Sequence, residues 1–234
     1  MLQEVTEDGG LGFCHAVLPG LLPPGYHGPL VIALDSNALI DLQVHGSLLL
    51  DDELPDVDDG YTKDLAGLAD LLNLWLLRDI RFVVTPRSLT DAKRVTERFL
   101  DRRLPAVEAI AESLAFQFGH WTAAAPSYGD VPEFVGEETG LPDGADRQLV
   151  LEAQAIGAHV FLTRDRLVLH RVSLSGPAMA VMAPSALASE LVGGGVQPLF
   201  GGTCGTEDCP YREWAMPAPD TGKWGGLLSI FEDQ

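Results

Sequence analysis

The sequence predicts an α/β protein with a mainly parallel sheet carrying helices on both faces. Three observations lead there. Strand-length segments at Leu30–Leu34, Ile80–Val84, His159–Thr163 and Ala178–Met182 are separated by stretches of helical character. The first of them is continuously apolar, as a parallel strand buried on both faces should be. Strand followed by helix, repeated, requires crossovers and therefore parallel pairing.

Taken in order, residues 1–28 are weakly periodic, contain Gly and Pro, and read as an extension packed on the domain. Leu30–Leu34 is the first strand, and a short helix starts near Asn37. Six acids fall within the nine positions from Asp51 to Asp59, a solvated loop that lacks the regular ligand spacing of an EF-hand. Residues 62–79 form a buried helix through Leu65, Leu68, Leu72, Trp75 and Leu76, leading into the strand Ile80–Val84. Thr85 and Pro86 make a helix start, Thr as the cap and Pro in the first turn. That helix runs to about Arg103 with a stripe of Leu89, Ala92, Val95 and Phe99, and a second helical segment spans 104–118. Residues 120–142 are loop-like. Asp143 caps a helix reaching Ile156, Gly157 stops it, and the strand His159–Thr163 follows. After the strand Ala178–Met182, Pro184 opens a last helix to Leu191. The final 42 residues hold nine Gly and four Pro and promise no regular core. The division is an extension at 1–28, a domain at 29–192 and a Gly/Pro-rich extension at 193–234, with no internal repeat.

With 234 residues, 46% of them hydrophobic, the chain can bury a substantial core. No apolar run approaches the ~20 residues of a membrane span. The start is acidic (Glu4, Glu7, Asp8), unlike a signal peptide. Three cysteines do not make a secreted disulfide framework, so a cytoplasmic protein without membrane contact is expected. Cys204 and Cys209 lack a second Cys/His pair nearby to complete a zinc site. Net charge is −19, yet residues 78–103 hold eight of the fifteen basic residues against four acids. Residues 1–60 carry eleven acids and no Lys or Arg. Overall charge weakens long-range attraction of nucleic acid, while the local basic stretches remain suited to phosphate.

The chemistry concentrates in acids at element ends. Asp35 directly follows the first strand, and Asp165 closes the strand that ends in Thr163. In open α/β sheets ligands bind outside the carboxyl ends of the strands, so both acids fall where a site would form. Each also admits a plain reading as a turn or cap aspartate. Asp146 precedes Leu149, Val150 and Ala153 by three, four and seven residues, which aims it along the apolar face of its helix. It is either a capping-turn acid beside Asp143 or a metal ligand. Asp91 lies off the Leu89 stripe, with Arg87, Arg94 and Arg98 at i−4, i+3 and i+7. That is either a salt-bridge ladder or an acid within a phosphate-facing arginine surface. Together the acids describe a carboxylate pocket, whose natural occupant is a hard divalent cation. No nucleophile elbow, P-loop or dinucleotide fingerprint is present, and the six histidines are dispersed.

Four blocks resemble the PIN domain family of metal-dependent nucleases. Residues 31–42, with Asp35, Ser36 and Asn37, look like its opening strand and first acid. Residues 84–91 look like its second-acid block, with Asp91 where Glu is more usual. Residues 143–150 resemble the third block and residues 157–165 the fourth. The resemblance covers about residues 29–192 and implies a compact three-layer α/β/α fold.

The resemblance further implies hydrolysis of RNA, or sometimes DNA, phosphodiesters with Mg²⁺ or Mn²⁺. Asp35, Asp146 and Asp165 would be metal ligands and Asp91 would complete the acid set, with Asp143 assisting or replacing Asp146. Ser36, Asn37 and Thr163 would orient the acids, and Arg87, Arg94, Arg98 and Arg164 would meet phosphates. Expected partners are an RNA substrate, an antitoxin-like or other protein, and a second copy of the chain. The family's toxin members are much shorter than this chain. Two rivals stand beside this reading. One is an inert PIN-like module that binds protein or RNA. The other is a phosphatase of the haloacid dehalogenase type, which wants a second Asp where this chain has Asn37.

Overall fold

The computed structural model describes residues 12–50, 59–92, 109–110, 114, 140–172 and 179–196. Two short strands, β1 (Phe13–Cys14) and β2 (His27–Gly28), pair antiparallel ahead of the main sheet. Then come β3 (Leu30–Leu34), α1 (Ser36–Leu50), α2 (Gly60–Leu77), β4 (Ile80–Val84) and α3 (Pro86–Ala92). The second half supplies α4 (Ala145–Ala155), β5 (Val160–Leu162), α5 (Arg166–Arg171), β6 (Ala180–Met182) and α6 (Pro184–Gly193).

The main sheet has the order β4-β3-β5-β6, and every neighbouring pair is parallel. Side chains alternate across it, as the pleat demands. Leu30, Ile32 and Leu34 point into the larger core with Ile80, Phe82, Val84, Val160 and Leu162, covered by α1, α2 and α6. Ala33 and Phe161 point the other way, onto Leu149, Val150 and Ala153 of α4 and Val168 of α5. Helices therefore flank both faces of a parallel sheet, as the sequence predicts. Residues 12–28 do more than lie against the domain, because Phe13, Leu18, Leu21 and Leu22 are part of the larger core.

Several local expectations hold. The Thr85 hydroxyl accepts the Ser88 amide at 3.1 Å, capping α3 with Pro86 as its first residue. Gly157 has φ +74, the left-handed conformation that ends α4 and that a side chain would resist. Pro184 opens α6. Others need correction. The helix after β3 is not short: α1 runs 15 residues, because nothing breaks its buried series of Ala38, Leu39, Leu42 and Leu49. The cap of α4 is Gly144, with no side-chain bond, and the Asp143 carboxylate pairs instead with Arg147 one turn on. The expected helices beyond Ala92 and through 104–118 lie mostly outside the described residues, although Ile110 and Leu114 are fully buried in the larger core. Cys204, Cys209 and the last extension also lie outside, apart from residues 193–196.

Candidate functional site

The chain leaves β3 toward β4 on one side and leaves β5 toward β6 on the other. These two adjacent strands therefore flank the switch point of the sheet, where the crevice outside the carboxyl ends opens. Asp35 stands there at the end of β3, only 4% exposed. One carboxylate oxygen accepts the Ser36 amide at 2.6 Å and the Ser36 hydroxyl at 3.2 Å. The other accepts the Asn37 side-chain amide at 2.5 Å and the Thr163 hydroxyl at 2.6 Å. Burial pushes the Asp35 carboxyl above the usual aspartate value; the Thr163 and Ser36 hydrogen bonds pull the other way, and the negative charge of Asp165 adds to the rise.

Thr163 joins the two strand ends. While donating to Asp35, its hydroxyl accepts the Asp165 amide at 3.0 Å and the Asn37 amide at 3.2 Å. The Asn37 side-chain Oδ1 accepts the Arg164 backbone amide at 3.2 Å, closing a ring across β3 and β5. Asp165 caps α5, its Oδ1 accepting the amides of Leu167 at 2.7 Å and Val168 at 3.2 Å. The cap reading of Asp165 is therefore correct, and its charge still reaches the neighbouring acids.

Asp146, second residue of α4, is half-buried. Burial raises its carboxyl, the charges of Asp165 and Asp91 raise it further, and Arg87 opposes them. Asp165 thus lies within electrostatic reach of Asp35 and Asp146, and Asp91 within reach of Asp146. Asp91 bonds to Arg87 at 2.8 Å one turn back on α3, with 13% of its side chain exposed, so the pair is largely withdrawn from solvent. Arg94 and Arg98 lie outside the described residues.

Arg164 is committed to a partner the sequence did not suggest. Its Nε and Nη2 meet the two oxygens of Asp41 at 2.6 and 2.7 Å. Asp41 sits in α1 among apolar residues and is 3% exposed. Burial raises its carboxyl, and the Arg164 bond and charge oppose that rise. Tyr61 of α2 lays its ring 4.6 Å from the guanidinium, and its hydroxyl bonds to Asp41 at 3.2 Å and to His45 at 2.8 Å. A charge inside an apolar helical face demands a partner, and that was the available signal for Asp41.

Glu152 is the other residue that sequence reasoning missed. It is 7% exposed on α4, and its oxygens accept the Arg87 backbone amide at 3.2 Å and the Gln148 side-chain amide at 3.1 Å. It thereby ties the start of α3 to α4, the two helices that carry Asp91 and Asp146. Nothing in the sequence distinguished it from an exposed helical glutamate.

As a donor set the acids suit a hard divalent ion, since all offer carboxylate oxygen. Their spacing does not form a cage: among the described residues no three His, Cys, Asp or Glu side chains stand close enough to hold one ion. Among those same residues no helix is long and apolar enough to cross a membrane. No protein-family model, curated protein or solved structure matches the chain, so its function must be argued from this site.

Proposed function

We propose that the protein is a metal-dependent nuclease of PIN-like type that hydrolyses RNA phosphodiesters, with DNA as a related substrate. The observation that carries this reading is the buried Asp35 carboxylate at the switch point of a parallel sheet, held on both oxygens by Ser36, Asn37 and Thr163, with Asp165 at the end of the neighbouring strand. Carboxylates placed at one edge of a sheet are a sink for a divalent cation. Asp35, Asp146 and Asp165 are the residues that would hold Mg²⁺ or Mn²⁺, with Asp91 completing the set. Such an ion supplies a nucleophilic water and neutralises charge on the phosphoryl group.

The chain's own side chains divide the remaining work. Ser36, Asn37 and Thr163 fix the Asp35 carboxylate by hydrogen bonds to both oxygens, the orienting role expected behind a ligand. Arg87 balances Asp91 and Asp146 from one side. Arg94 and Arg98 continue the basic stretch from Arg87 and are the proposed phosphate contacts. Asp143 points its carboxylate at Arg147 and is 91% exposed, which makes it a weaker ligand candidate than Asp146.

The second reading, an inert PIN-like module that binds protein or RNA, is favoured by the missing three-ligand cluster among the described residues. Wild type and Asp35→Asn, incubated with labelled RNA in Mn²⁺ or in EDTA, separate the two. Cleavage by wild type in Mn²⁺, absent in EDTA and absent in the variant, is the expected result. An RNA left intact by wild type in Mn²⁺ leaves the inert module.

A further inference from the structure

The turn after β5 carries Thr163 and Asp165, and the residue between them is Arg164. A side chain placed there could reach toward substrate, yet its guanidinium turns back to meet Asp41 at 2.6 and 2.7 Å. A fork-to-carboxylate pair of this kind fixes direction as well as distance. Three further contacts reinforce it. The Tyr61 ring covers the guanidinium at 4.6 Å, the Tyr61 hydroxyl bonds to Asp41 at 3.2 Å, and the Arg164 amide bonds to Asn37 at 3.2 Å. Asp41 belongs to α1 and Tyr61 to α2, so the turn is anchored to both helices.

We infer that Asp41 and Arg164 are a positioning pair whose bond holds the turn after β5, so that Thr163 and Asp165 stay in register with Asp35, and that Arg164 does not contact phosphate. This moves Arg164 from the set of phosphate contacts to the scaffold of the carboxylate site. Its consequence for metal affinity rests on the nuclease reading. Its consequence for the turn does not.

The test uses the full chain and three variants, Asp41→Asn, Arg164→Lys and Arg164→Gln. Arg164→Lys keeps the charge but loses the fork, and it serves if Asp41→Asn does not fold. Amide hydrogen exchange at Arg164 and Asp165 reads the turn, with Leu187 of α6, bonded to Ala183, as the remote reference. Asp41→Asn and Arg164→Lys should each speed exchange at the two turn amides by about tenfold, the worth of one charged hydrogen bond, and leave Leu187 within about twofold. They should also raise the Mn²⁺ concentration that gives half of the melting shift by about tenfold, as loss of an orienting partner does.

Binding of a labelled single-stranded RNA in EDTA then checks the phosphate alternative. Arg164→Gln should leave the slope of log affinity against log salt unchanged. A slope shallower by about 0.7 would place the guanidinium on a phosphate and overturn the inference. Unchanged exchange at Arg164 and Asp165, or equal acceleration there and at Leu187, would overturn it as well. A wild type that neither cleaves RNA nor responds to Mn²⁺ defeats the nuclease reading, while local exchange still decides whether the pair holds the turn.

Discussion

The two halves of the carboxylate edge are built differently. On the β3/β5 side, Asp35 receives donors on both oxygens and Thr163 ties one strand end to the other. On the α3/α4 side, Asp91 and Asp146 sit on two helices joined by Glu152 and balanced by Arg87. The first half is fixed by short hydrogen bonds. The second combines an ion pair and partial burial with charge coupling. On the proposed nuclease reading, the α3/α4 side is where a cation would draw the acids together, against the more tightly hydrogen-bonded β3/β5 side.

The largest expected effect comes from removing one negative charge from each half. Asp35→Asn and Asp146→Asn should each lower RNA cleavage in Mn²⁺ by on the order of a thousandfold, about 4 kcal/mol of barrier. Their stabilities in EDTA should differ. Asp35→Asn disturbs a carboxylate whose two oxygens accept four donors, so its melting temperature should fall. Asp146→Asn relieves repulsion from Asp165 and Asp91, so its melting temperature should hold or rise. An active but destabilised Asp146→Asn would remove Asp146 from the site and break the contrast between the halves.

Hydrogen-bonding strength gives the next effect. Thr163→Val keeps shape but removes one donor and one acceptor at a fully buried position, where three hydrogen bonds meet. Thermal or denaturant unfolding should show a loss of about 2–3 kcal/mol. On the other half Glu152→Ala should cost less, about 1–2 kcal/mol, since it leaves one partly buried backbone amide without its acceptor. Glu152→Gln should recover most of that loss, because its oxygen can still accept the Arg87 amide and the Gln148 amide can turn over to match. If the alanine variant cost more than Thr163→Val, the α3/α4 side would be the fixed half and the comparison would invert.

The same contrast explains what the sequence disclosed. Asp35 and Asp165 were legible because a strand end is a local signal and sheet topology does the rest. Asp146 was legible from helical spacing to Leu149, Val150 and Ala153. Glu152 was not, and for Asp41 only the need of a partner was, because their roles depend on partners 65 and 123 residues away in the chain. Arg164 was identified as a conspicuous residue, but its direction was hidden for the same reason. Asp143 illustrates a local error: a cap sequence was present, and the chain used Gly144 while Asp143 paired with Arg147. The strands of the sheet were legible because parallel strands are short apolar segments whatever their order. The order β4-β3-β5-β6, which creates the switch point, is a long-range property that no single segment encodes.

The smallest effect is a pH dependence that separates charge from hydrogen bonding. The Asp146 carboxyl is raised from the ordinary aspartate value of 3.8, first by burial and then by Asp165 and Asp91. A raised folded value means the native protein holds its proton more tightly than the unfolded chain. The resulting stability is fully present below 3.8 and is lost as pH rises through the folded value. In EDTA, wild type should therefore gain stability relative to Asp146→Asn as pH falls from neutral toward 3.8. With Asp146 only half-buried and its charge screened by solvent, the difference should be only a few tenths of a kcal/mol. The buried His159 acts in the opposite sense. Its value is lowered from 6.5 by burial, and its Nδ1 accepts the Val31 amide at 3.0 Å, so its stability is lost as pH falls. Because His159 is common to both proteins, the difference between their unfolding curves isolates Asp146. In Mn²⁺ the dependence should reverse, since the ion needs the carboxylate that acid removes. Parallel pH curves for wild type and Asp146→Asn in EDTA would show that Asp146 does not sense its neighbours. The α3/α4 half would then no longer be the charge-coupled one.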